Sequence, residues 1–178
     1  MKPKILFILH LPPPIHGAAM MGKYIQESEL VNSSFDCFCI NLATAGSLSD
    51  IGHISLKKLL KYFFLLKHIS HVVREIRPEL VYITPNAGGK AFFKDFIVVQ
   101  MLKSMGCKVI AHYHNKGVSV YQSKWVYNFF YKRFFSNLKV ILLAENLYKD
   151  IAKYVKREDV YICPNGIPTV SYTHLTLP

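Results

Sequence analysis

Residues 80–114 read LVYITPNAGGKAFFKDFIVVQMLKSMGCKVIAHYH. Leu80–Thr84 is a short apolar run rich in β-branched and aromatic residues, which is the composition of a buried strand. Gly89–Met105 reads as a helix, and Gly106 stands where a helix ends in a left-handed residue. Lys108–His114 is a second buried run. A strand, a helix and another strand in so short a span form a crossover unit, and the two strands of such a unit lie parallel.

The same alternation extends in both directions. Lys4–His10, Asp36–Leu42, Val140–Ala144 and Val160–Cys163 read as strands. Gly17–Leu30, Val120–Leu138 and Asn146–Tyr154 read as helices. Ser55 is placed to cap a long helix that ends near Ile76, before Pro78, and a polar loop covers 43–53. The expected fold class is α/β: a Rossmann-like doubly wound parallel sheet of about six strands with helices on both faces. Sheets of this kind hold ligands at the carboxyl ends of their strands, near the reversal in strand order.

Composition sets bounds on function. The 178 residues suffice for one domain with a substantial core. With 22 basic and 11 acidic residues, the net charge of +11 favours an anionic partner or a solvated basic face. No nucleic-acid motif accompanies the charge, so nucleic acid is not the expected partner. Apolar stretches such as Tyr62–Leu66 are too short to cross a bilayer. Ile5–Leu9 resembles a signal-peptide core, but no small-residue cleavage site follows it. Cys37, Cys39, Cys107 and Cys163 include no Cys-x-x-Cys pair and read as reduced core residues of a cytoplasmic protein.

Candidate site residues follow from the carboxyl edge. After the first strand comes His10-Leu11-Pro12-Pro13-Pro14-Ile15-His16-Gly17-Ala18-Ala19-Met20. Its prolines stiffen the turn, and its small residues let a ligand or a neighbouring loop come close. The helix that follows offers free N–H groups and a positive dipole to a phosphate or sugar oxygen, unless the turn is simply a rigid connection. The loop Pro85-Asn86-Ala87-Gly88-Gly89-Lys90 is not a P-loop: its first glycine is missing, and Ala91 stands where magnesium would need Ser or Thr. It is equally a helix start or a loop beside a polyhydroxyl ligand. In His112-Tyr113-His114-Asn115 the two histidines share one face of the strand and can both face the crevice; one of them reads as structural, with His112 preferred as the functional one. No third or fourth ligand with zinc spacing accompanies them, so no metal or other cofactor is expected. Glu145 and Asn146 open a short helix, where Glu145 suits the helix dipole. No catalytic triad, carboxylate pair or nucleophile elbow is present.

Residues 55–76 read SLKKLLKYFFLLKHISHVVREI. Lys57, Lys58, Lys61, His68 and His71 fall broadly on one side, and Leu56, Leu59, Phe63, Leu66 and Val73 on the other. The expected arrangement packs the apolar side on the sheet; the alternative lays the helix on an anionic membrane.

Two of these stretches resemble a known family. Pro12-Pro13-Pro14-Ile15-His16-Gly17-Ala18-Ala19-Met20 after the first strand is similar to the opening of the family 4 glycosyltransferases, which have the GT-B architecture. Leu142–Leu147, followed by Val160-Tyr161-Ile162-Cys163-Pro164-Asn165-Gly166-Ile167-Pro168, resembles the end of that family's N-terminal domain. The resemblance covers roughly residues 4–168 and implies the N-terminal, acceptor-side half of a GT-B fold. It implies a retaining transferase that takes sugar from a nucleotide-sugar donor to a glycan or lipid-linked acceptor, with no metal as a rule. His16, Gly17 and Ala18 would approach the donor phosphates, and His112 or His114 would line the acceptor side. Asn86, Gly88, Gly89, Asn115 and Glu145 are the remaining binding candidates, and Asn165 and Gly166 belong to the interdomain linker. The family's frequent His-Asp pairing is absent from His112-Tyr113-His114-Asn115. A lipid-linked acceptor would give helix 55–76 a peripheral membrane role at the inner face of the cell membrane.

Val170–Pro178 resembles the translation of a transposon-end sequencing adapter. The expectation is therefore one natural domain over 1–168, an artefactual tail over 169–178, an absent donor-binding domain, and no transfer by this chain alone. Two other readings stand beside it: a sugar-nucleotide epimerase of similar two-domain build, and a basic α/β module that binds anionic membrane or nucleic acid without catalysis.

Overall fold

The computed structural model describes residues 2–13, 15, 17–42 and 56–166. The expectations placed on His16, the loop 43–53, the Ser55 cap and the tail fall outside these residues.

Six strands form one sheet: β1 (Lys4–Leu9), β2 (Asp36–Asn41), β3 (Leu80–Ile83), β4 (Val109–Tyr113), β5 (Lys139–Leu142) and β6 (Val160–Ile162). Their order is β2-β1-β3-β4-β5-β6, and every pair is parallel. The winding runs outward from β1 to β2, then crosses back over β1 to β3 and continues the other way. With right-handed crossovers, this reversal puts helices on both faces. The chain therefore has the Rossmann-like α/β architecture that its alternation of apolar runs implies.

The strands point alternate residues into two cores. Leu6, Ile8, Val81, Ile83, Ala111 and Val140 face helices α3 (Leu56–Ile76), α4 (Gly89–Ser104) and α6 (Trp125–Phe135). Ile5, Phe7, Leu9 and Tyr82 face α1 (Gly17–Glu27) and α2 (Glu29–Ser34). The first core is aromatic where α4 meets α6: Phe92 lies 4.6 Å from Tyr131 and 5.6 Å from Phe134 between ring centroids. Helix ends follow backbone chemistry. Gly106 closes α4 at φ +77°, while Arg77 (φ 49°) and Asn137 (φ 53°) take the left-handed position after α3 and α6.

Three helices differ from expectation. The segment predicted as Gly17–Leu30 is two helices, because Ser28 restarts the turn, its Oγ accepting from Val31 N at 3.3 Å. The segment predicted over Val120–Leu138 divides into α5 (Val118–Tyr121) and α6, with extended backbone at Lys124 between them. Asn146–Tyr154 is a 3-10 turn, Glu145–Leu147, followed by the single turn α7 (Tyr148–Ile151). A fourth difference concerns α3. Leu66 and Val73 pack on the first core as expected, but Leu56, Leu59 and Phe63 remain exposed.

Candidate functional site

A cavity of about 540 Å³ opens at the carboxyl edge of the sheet. Its walls come from three places: the first two turns of α1 (Gly17, Ala18, Met20, Met21 and Tyr24), the end of β4 (His114 and Asn115), and the segment after β6 (Asn165 and Gly166). The size is in the range of small-molecule sites. The N-terminal turn of α1, the positive end of its dipole, forms part of this wall. Among the described residues, no ionisable carboxylate or ammonium side chain contributes to the lining.

Packing explains how the helix comes so close. α1 rests on the end of β1 at Gly22, where a Cβ would stand 2.2 Å from the carbonyl oxygen of His10. Only glycine permits that approach. Gly17 differs: a Cβ there would meet nothing within 4 Å, so its openness faces the cavity.

Beneath the cavity lies a row of rings on the α1 side of the sheet. Phe7 of β1 meets Tyr82 of β3 at 5.4 Å, and the Tyr82 hydroxyl hydrogen-bonds His112 Nδ1 of β4. His112 lies against His114, with ring centroids 4.2 Å apart and planes tilted by 37°. The two-residue period of the strand does place both imidazoles together. Of the two, His114 forms the wall and His112 lies buried behind it. Burial, and then the neighbouring His114, pull the His112 pKa down to about 3. Burial also lowers that of His114, against a smaller opposing influence from the Asn165 side chain. Both rings are therefore neutral near pH 7, which lets them stack without repulsion. His112 Nε2 and both nitrogens of His114 are buried, and the Cys163 backbone and the Asn165 side chain act on the two rings as hydrogen-bonding groups that oppose the downward shifts.

Comparison with family models, with curated proteins and with solved structures finds no match to this chain. The site is accordingly read from its own geometry.

The other candidates stand around the cavity with structural duties. Asn115 lines it, and its Oδ1 accepts from Ala87 N at 3.1 Å, tying the loop after β4 to the loop after β3. Asn86 sits further back. Its backbone N and Nδ2 both donate to Asp95 Oδ2, each at 2.8 Å. Tyr131 donates to Ala87 O at 2.5 Å and secures the same loop from below. Gly88 and Gly89 do not reach the cavity. A Cβ on Gly88 would come within 2.2 Å of the Tyr121 ring, and Gly89 holds φ +68°, so both glycines are accounted for by packing and backbone geometry. Glu145 is exposed and faces elsewhere. It accepts from Arg157 Nε at 2.8 Å and Nη2 at 2.6 Å, and this pairing lowers its pKa. Among the described residues, no group of three or more His, Cys, Asp or Glu side chains is placed to hold a metal ion.

Several residues escape the sequence reading. Met20, Met21 and Tyr24 follow Gly17 at three, four and seven residues, the spacing of one helix face. That signal was present in the sequence. Asn165 and Gly166, read as linker, are wall residues, because Cys163 N donates to Leu142 O at 2.8 Å and carries the chain along the edge of the sheet. Asp150 lies outside the cavity and holds the chain that follows Asn115. Its carboxylate accepts from the N–H groups of Gly117, Val118 and Ser119, at 2.8, 3.0 and 3.0 Å, and from Ser119 Oγ at 2.5 Å. Burial alone would raise the Asp150 pKa; the donors outweigh it and the net shift is downward.

Proposed function

We propose that this chain is the acceptor-side domain of a retaining glycosyltransferase that moves a sugar from a nucleotide-sugar donor to a glycan or lipid-linked acceptor. The observation that carries the reading is the meeting, at one cavity, of the first turn of α1, His114 with Asn115, and Asn165 with Gly166. The similarity of the first loop and of the Pro164-Asn165-Gly166 ending to family 4 glycosyltransferases supports the same assignment.

The chemistry divides accordingly. Gly17 and Ala18 leave room for an oxyanion at the positive end of the α1 dipole, which suits donor phosphate. A neutral imidazole at His114 can accept from one hydroxyl or donate to another, and so orient a sugar acceptor. Among the described residues no carboxylate lines the cavity, so a general base or nucleophile of that type would come from elsewhere in the enzyme. On this reading the nucleotide pocket belongs to a second, donor-binding domain of the enzyme. The enzyme would draw on nucleotide sugars in the cytoplasm.

The test begins with the source DNA, read through the codon for Pro168. The protein from the uninterrupted frame is then assayed with a panel of nucleotide sugars and a lipid extract as acceptor. Transfer that falls by about a hundredfold or more in His114→Ala, with the melting temperature unchanged, is the expected result. A frame that ends without a second domain, or transfer indifferent to His114→Ala, overturns the assignment.

A further inference from the structure

α3 is apolar on two faces. Tyr62, Leu65, Leu66, Ile69 and Val73 turn inward and pack on the first core. Leu56, Leu59, Leu60, Phe63 and Phe64 stand at i, i+3, i+4, i+7 and i+8, and they form a second continuous stripe on the outside. Every member of that stripe is more than half exposed, from Leu60 and Phe63 at 52% to Leu56 at 74%. Scattered exposed leucines are ordinary on a protein surface; a contiguous stripe containing two phenylalanines is not.

Charge identifies the occupant. Over Leu56–Ile76 the basic residues are Lys57, Lys58, Lys61, Lys67 and Arg74, and the one acid is Glu75 in the last turn. His71 lies 3.6 Å from that carboxylate, at the end of the helix away from the stripe. Lys61 projects beside the stripe, and Lys67 lies over the Phe63 ring, 5.0 Å from its centroid. A second copy of the same face would bring one row of lysines against another. An anionic bilayer instead accepts the lysines at its headgroups and the leucines and phenylalanines beneath them, the arrangement of an interfacial helix. Among the described residues, no helix is long and apolar enough to cross a membrane, so the contact would be peripheral.

We infer that the outer stripe of α3 docks this protein on anionic phospholipid, with Phe63 and Phe64 inserted and Lys61 and Lys67 at the headgroups. A helix that follows a parallel strand starts at the carboxyl edge, so the N-terminal end of α3, where the stripe lies, is at the same edge as the cavity. Docking there holds the cavity mouth close to the bilayer, within reach of a substrate carried in it. The inference stands on α3 alone and does not require the transferase reading.

The experiment is co-sedimentation of the 178-residue chain with vesicles of phosphatidylglycerol and phosphatidylcholine in equal parts, beside vesicles of phosphatidylcholine alone. Binding to the anionic vesicles that weakens with salt is expected, with little binding to the neutral ones. Phe63→Ser with Phe64→Ser should reduce the bound fraction about tenfold or more, and Lys61→Glu with Lys67→Glu should do the same, without change in circular dichroism. As an independent reading, Phe63→Trp in a Trp125→Phe background should shift its emission to the blue when anionic vesicles are added. Equal binding to both vesicle types, binding untouched by the serine variant, or an unshifted tryptophan overturns the inference. So does a chain that dimerises through this face and ignores vesicles.

Discussion

Replacing Asp95 by Asn tests how the fold holds the loop behind the cavity. Asp95 is a buried carboxylate in α4, and its Oδ2 takes both hydrogen bonds offered by Asn86. Burial raises its pKa from the usual 3.8 to about 6; the two Asn86 donors and the charge of Lys94 oppose the rise without cancelling it. The raised value means that the folded state binds this proton more tightly than the unfolded chain. The resulting stabilisation is fully present below the unfolded value and is lost as the pH rises through about 6. At neutral pH and above, the fold carries a penalty of about 3 kcal/mol for keeping Asp95 ionised, since two pH units correspond to that much free energy. Asn has the same shape, its carbonyl oxygen accepts the same two N–H groups, and it carries no charge. Its new NH2 group replaces Oδ1, and if unpaired it costs about 1–3 kcal/mol at every pH. The diagnostic quantity is therefore the change with pH. Urea denaturation of both proteins should show the variant gaining about 2–3 kcal/mol relative to wild type between about pH 4 and pH 7.5. A difference that stays flat across that range would mean the carboxylate is not the buried, titrating group described here.

Other perturbations separate packing from site. His112, held down to about 3, titrates in the opposite sense to Asp95: its neutral form stabilises the fold above the ordinary value of 6.5, and that contribution is lost as the pH falls toward 3. Up to about 4–5 kcal/mol is at stake, and His112→Phe should flatten the acid limb of a melting-temperature profile. Gly22→Ala drives a methyl into the His10 carbonyl at 2.2 Å and should cost about 2–3 kcal/mol or more in chemical denaturation, whereas Gly17→Ala, open for 4 Å around, should stay within about 0.5 kcal/mol. Arg77→Gly removes a side chain from a residue at φ 49°, and a gain of about 0.5–1 kcal/mol in the melt is expected; a loss would mean that the Arg77 side chain contributes contacts worth more than the backbone relief.

The fold was legible because its strands are short, apolar and separated by helix-length segments, a pattern that depends on local composition. The breaks in the helices were less so. Ser28 as a cap is a local signal that a continuous apolar pattern obscured. The division between α5 and α6 has no such signal. The α5 N-terminus is held by Asp150, 33 residues away from Gly117 in sequence, and only the assembled structure brings them together. The outward stripe of α3 was hidden for a related reason. A helix with two apolar faces gives a blurred pattern on a wheel, and the face that packs is decided by what the neighbouring helix and sheet offer.

The site divides along the same line. His112 and His114 were paired by the strand period, but that period does not say which of them meets the cavity; His114, nearer the end of β4, shares its wall with Asn165, and His112 is buried. The acids show the limit most clearly. Read along the chain, Asp95 and Asp150 are two polar residues on helices, with no motif around them. In the structure both accept from a loop at the carboxyl edge: Asp95 from the main-chain N–H and the side-chain amide of Asn86, Asp150 from the main-chain N–H groups of Gly117, Val118 and Ser119. Asn115 then bridges the two loops through Ala87. The cavity wall at His114 and Asn115 is thus flanked by two buried or half-buried carboxylates that never touch a ligand. A charge removed from water and spent on backbone N–H groups fixes a loop more rigidly than a packed apolar side chain would, because the donors leave few alternative positions of equal energy. Rigidity at that wall is what a site built from neutral imidazole and amide groups requires, since such groups recognise a hydroxyl by direction more than by charge.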